Sequence, residues 1–137
     1  MKDNGISLYD KNHIKKNDER LALFQRLNEE YLINRVFYPG SYVHITPIFI
    51  FPIVIFNDMY KKLENFYDSD KLFQFINKRK IYSEEPHYSY INQNYNKKIP
   101  LDDESFDLLI SQYAGFVSRA CKRYLKIGGI LVVNNSH

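Results

Sequence analysis

The stretch from Leu101 to Asn135 constrains the fold more than any other part of the chain. A polar turn, Asp102-Asp-Glu-Ser105, precedes the short apolar run Phe106 to Ser111. Phe116, Val117, Ala120, Cys121, Tyr124 and Leu125 then recur with the spacing of a helix that buries one face. Gly128-Gly129 offers the left-handed residue that ends a helix. Ile130-Leu-Val-Val133 is apolar on both faces, as a strand covered on both sides would be. Strand, helix and strand over this length predict a right-handed parallel crossover, around which the rest of the chain can be arranged.

Upstream, residues 1–16 read as a polar, loosely docked arm with Ile6, Leu8, Tyr9 and Ile14 available for burial. Residues 17–137 read as the α/β domain. Asn17 or Asp18 can cap a helix running to about Ile33, with Leu21, Phe24, Leu27, Tyr31 and Leu32 as its apolar stripe. Arg35-Val-Phe-Tyr38 is a strand stopped by Pro39-Gly40. Thr46-Pro47 suits a helix start, and Pro52 keeps that helix short. Ile53-Val-Ile-Phe56 is the next buried strand, ending at Asn57-Asp58. Tyr60 to Tyr67 is helical in pattern, and Asp68-Ser-Asp70 can cap a further helix bearing Leu72, Phe73, Phe75 and Ile76. His87 to Ile91 alternates weakly as a third strand. Strands alternating with helices predict a doubly wound, mostly parallel sheet.

At 137 residues and 45% apolar content the chain has enough for one real core. A net charge of +3 does not support nucleic-acid binding, which leaves a denser basic footprint. The longest apolar run, Ile45 to Phe56, is interrupted by Pro47 and Pro52 and is too short to span a bilayer. With a polar N-terminus as well, the expectation is a soluble, cytoplasmic protein. Cys121 stands alone on an apolar helix face, so it is expected as a core residue and not as a reactive thiol. His13, His44, His87 and His137 show no metal-ligand spacing, so no metal is expected. His44 is a candidate general base, but a lone loop histidine is more often structural. Tyr88, Tyr90 and Tyr95 are candidates for base stacking, with packing the commoner role. Ser41 lacks the Gly-x-Ser-x-Gly elbow of a serine hydrolase.

In an open parallel sheet, ligands bind beyond the carboxyl ends of the strands, where strand order reverses. The first strand opens into Tyr38-Pro-Gly-Ser41, the second ends at Asp58 and the fourth at Ser111-Gln-Tyr113. An acid ending the second strand is placed to accept from ribose hydroxyls. These residues carry a resemblance. Leu101 to Gln112, followed by Cys121-Lys-Arg-Tyr-Leu-Lys-Ile-Gly-Gly-Ile-Leu-Val-Val133, resembles the fourth and fifth strands of class I S-adenosylmethionine-dependent methyltransferases. Val36 to Ser41 falls where that family has its glycine-rich cofactor motif.

The resemblance implies strand order 3-2-1-4-5 with helices on both faces, S-adenosylmethionine as cofactor and an unidentified methyl acceptor. It implies that Tyr38, Pro39, Gly40 and Ser41 line the methionine end of the cofactor. Asp58 would hold the ribose and Met59 would lie against the adenine. Asn94, or its neighbours Gln93 and Tyr95, would reach the adenine edge, and Ser111, Gln112 and Tyr113 would face the sulfonium and acceptor.

This chain departs from the family pattern at several points. Ile127 replaces a proline, Gly40 is followed by Ser41-Tyr-Val-His44 where further glycines are usual, and the third strand lacks an acid before the adenine loop. No counterpart of the family's last strand pair follows Val133 in this sequence, and the expectation from the resemblance is an incomplete member, or one whose exposed fifth strand pairs with another chain. The alternative to a methyltransferase is an inactive relative acting as a binding or assembly subunit. A different nucleotide-binding α/β domain is disfavoured by the absence of a phosphate-cradling multi-glycine loop.

Overall fold

The computed structural model describes Tyr9, residues 19–111 and residues 116–133. Five strands form one parallel sheet: β1 (Arg35–Pro39), β2 (Ile53–Asp58), β3 (His87–Asn92), β4 (Phe106–Ser111) and β5 (Leu125–Val133), in the order β3-β2-β1-β4-β5. The helices are α1 (Glu19–Glu30), α2 (Pro47–Ile50), α3 (Leu63–Asp68), α4 (Asp70–Arg79) and α5 (Phe116–Cys121), the last followed by a 3₁₀ turn at Lys122–Tyr124. The chain winds outward from β1 to β3, then crosses back to β4 on the other side of β1. The strand order therefore reverses between β1 and β4.

Each strand feeds two cores because alternate side chains point to opposite faces. Val36, Tyr38, Val54, Phe56, Leu108 and Ile110 join Phe24, Ile48, Leu72 and Ile76 from α1, α2 and α4. Phe37, Phe106 and Leu109 face the other way, onto Ile99, Cys121 and Tyr124. Helices thus cover both faces, as the apolar composition of β1, β2 and β4 predicts. Asp107 ties the amino ends of three strands together. One carboxylate oxygen accepts from the N–H groups of Asn34 and Arg35 at 3.0 and 2.9 Å, and the other from Lys126 Nζ at 3.0 Å.

Several local expectations are corrected. Helix α1 ends at Glu30, short of Ile33. Its stripe is carried by Phe24, with Leu21 and Leu27 beside it, while Tyr31 and Leu32 are 52% and 86% exposed. The chain leaves the helix so that Ile33, not its two predecessors, enters the core. Helix α2 does begin at Pro47, and Phe51 is extended before Pro52. Thr46, however, has helical angles and makes no side-chain cap bond; its Oγ1 lies 2.6 Å from the hydroxyl of Tyr9, which is buried. Helix α3 starts at Leu63 rather than Tyr60.

The largest correction concerns Tyr124 to Gly129. The helix does not run on to Leu125, and β5 begins there instead of at Ile130. Glu104 N–H and Ser105 N–H donate to Arg123 O and Tyr124 O, both at 2.9 Å, which pins this segment to the turn before β4. Leu125 then pairs with Phe106 and Ile130 with Leu108, so residues 126–129 bulge opposite Asp107 alone. Gly128, at φ +83°, turns the bulge, and Ile127 at its tip is 90% exposed. A Cβ on Gly129 would lie 2.6 Å from Leu125 Cδ1. The glycines end no helix; they shape a bulge.

Candidate functional site

The carboxyl ends of β1 and β2 lie side by side, with Pro39 paired to Asn57. Beyond Pro39 the chain turns sharply, and Gly40 adopts φ +67°, a conformation open to glycine. Ser41 N–H donates to Asn57 O at 2.9 Å and His44 N–H to Ser41 O at 2.9 Å, so the loop folds back on itself. Between them Tyr42 holds φ +48°, a left-handed conformation that a side chain disfavours.

Two groups hold that loop from outside. Asp58, only 9% exposed, accepts from Tyr42 N–H on Oδ2 and from Met59 N–H on Oδ1, both at 2.9 Å. Tyr67, on α3, donates its hydroxyl proton to Tyr42 O at 2.6 Å and lies 3.5 Å from Ser41 Oγ. Burial drives the Tyr67 phenol far above its ordinary pKa, so it is a proton donor at any ordinary pH. Its ring stacks on Tyr90 of β3, with centroids 4.7 Å apart and planes 2° from parallel. Tyr90 in turn donates to Tyr60 O at 2.9 Å, tying the chain after β2 to β3.

The residues expected at the site are distributed unevenly around this centre. Gly40, Ser41 and Asp58 come together. Tyr38 and Pro39 are buried beneath them, with the Tyr38 hydroxyl 2.6 Å from His44 Nδ1. His44, the candidate base, is thus packed inside the loop and is 4% exposed. Met59 is 55% exposed beside Asp58. Asn94 is half-buried, and its Oδ1 accepts from Asn96 N–H at 2.9 Å within its own turn. Gln93 N–H donates to Asp58 O at 3.0 Å, which brings the loop after β3 to the end of β2. Tyr95 packs on the second core. Ser111 is buried at the end of β4. Gln112, Tyr113 and His137 lie outside the described residues.

Sequence reasoning missed the roles of Asn57 and Tyr67, whereas Tyr42 stood out as part of the departure after Gly40. Asn57 is fully buried; its Nδ2 donates to Ile91 O and Gln93 O, both at 2.8 Å, and so holds the β3 loop against β2. Its Oδ1 finds no hydrogen-bond partner among the described residues. Asn57 reads in the sequence as an ordinary strand terminator, and Tyr67 as one residue of an apolar stripe.

No family model and no curated protein matches the chain. Solved structures do match it. The YcgJ protein from Bacillus subtilis superposes with a TM-score of 0.56 at 18% identity, over 82% of this chain and 48% of that one. A SAM-dependent methyltransferase from Thermotoga maritima gives 0.48 at 18% identity, over 96% of this chain and 58% of that one. The chain therefore spans about half the length of these structures. At such identity the likeness is one of fold. A five-stranded parallel sheet in the order 3-2-1-4-5, with helices on both faces, gives this chain a Rossmann-like fold.

Proposed function

We propose that the chain binds S-adenosylmethionine at the carboxyl ends of β1 and β2 and serves methyl transfer to an acceptor not yet identified. One observation carries the reading: the Asp58 carboxylate stands at the end of β2, against the glycine turn that follows β1, beside the reversal of strand order. A buried carboxylate there offers acceptors for the two hydroxyls of a ribose. Gly40 lets the backbone approach a ligand closely. When bound, the cofactor would supply an electrophilic methyl group on its sulfonium. The chain's contribution is to orient, with Asp58 fixing the ribose and the loop from Gly40 to His44 bounding the methionine end. Positioning of this kind accounts for most of the rate of a displacement that needs no dedicated base.

Calorimetric titration with S-adenosylmethionine and S-adenosylhomocysteine tests this, repeated on Asp58→Ala. The expected outcome is micromolar binding, on the order of −8 kcal/mol, that collapses in the variant. A folded sample that gives no heat with either ligand sinks the reading. The second reading is a chain that keeps this fold as a binding or assembly subunit without turnover. It is favoured by the side chain of Tyr42 in the left-handed position of the loop and by the burial of Ser41.

A further inference from the structure

We infer that the loop from Gly40 to His44 is a latch that occupies the ligand-binding face of Asp58, so that a ligand competes with the chain's own Tyr42 N–H. The inference rests on the cofactor reading above and adds the control of access to the same site. Both oxygens of Asp58 already accept backbone N–H groups at 2.9 Å, so a vicinal diol must share the carboxylate with Tyr42 N–H or displace it. Asp58 is only 9% exposed, which leaves a diol little access while the loop stays against it.

The closed loop carries an internal cost. Tyr42 sits at φ +48°, where a side chain crowds its own backbone. What holds the loop shut against this cost is the pair of bonds that Tyr42 makes through its backbone: Asp58 on its N–H and the Tyr67 hydroxyl, at 2.6 Å, on its carbonyl. Tyr67 is therefore a positioning residue. It reaches Ser41 and Tyr42 from α3 and is itself braced by the stacked ring of Tyr90. A latched state binds ligand more weakly by the fraction of time the site stands open.

Tyr67→Phe tests this, because it removes the hydroxyl and keeps the ring that stacks on Tyr90. The amide of Tyr42 is expected to exchange faster in the free variant, measured residue by residue by NMR. S-adenosylhomocysteine is expected to bind the variant about fivefold more tightly, the loss of one hydrogen bond from the closed state. A thermal melt of the variant confirms that it is folded. If the variant exchanges and binds like the unmodified chain, the latch is overturned and the cofactor reading stands. If neither protein binds although the variant's loop exchanges faster, the cofactor reading fails and the inference falls with it.

Discussion

At the scale of single residues, environment decides what each reactive group does. Cys121 is fully buried on the second core, and desolvation pushes its thiol up to about 12. It is expected to be inert to an aromatic disulfide reagent at pH 8 in the native chain and to react at once in denaturant. Rapid native labelling would mean that α5 opens readily. This was legible from sequence, because a cysteine at the buried spacing of a helix has little else to do. Asp58 was half legible. Its place at the end of β2 followed from the strand pattern, but its engagement with Tyr42 N–H depends on how a loop sixteen residues earlier folds back. Asn57 was not legible at all. An asparagine ending a strand gives no sign that its amide will bridge to Ile91 and Gln93.

At the scale of elements, the cap of α4 is legible in the sequence, whereas caps and periods overridden by neighbours are not. Ser69 was expected within a capping run; its Oγ accepts from Leu72 N–H at 3.1 Å at the head of α4. Ser69→Ala should cost about 1 kcal/mol, measured by urea unfolding with an unchanged slope. Thr46 shows the opposite case, because Tyr9 captures the hydroxyl that a cap would have used. The period from Phe116 to Leu125 was helical on paper, yet two backbone hydrogen bonds from the turn before β4 end the helix early and start β5. Phe56, fully buried in β2, lies between Tyr38 and Tyr67, with ring centroids 6.2 and 5.1 Å away. Phe56→Ala should cost about 3–5 kcal/mol and loosen the wall on which the Tyr67 ring rests. Equilibrium unfolding reads the first effect and exchange at Tyr42 the second.

At the scale of the whole molecule, the sheet is stapled at its amino ends by Asp107 and presents its candidate site at its carboxyl ends. Burial alone would raise the Asp107 carboxyl. The N–H of Arg35, the ammonium of Lys126 and the N–H of Asn34 outweigh that and hold it below its ordinary value. A carboxyl lowered by folding stabilises the native state above its unfolded-state pKa, and that contribution is lost as pH falls through the folded value. Stability should therefore drop below about pH 4, and Asp107→Asn should flatten that part of the acid titration, followed by thermal melts. Among the described residues no helix is long and apolar enough to cross a membrane. The α/β alternation, the strands buried on both faces and the parallel pairing across the crossover are legible in the sequence alone, because these depend on periodicity and on short-range turn chemistry. That β5 begins with a bulge, that Tyr42 is left-handed, and that the Asp58 carboxylate is held by the chain itself follow from tertiary contacts alone. Each of these depends on a hydrogen bond between residues distant in sequence, and no local pattern encodes which donor will arrive.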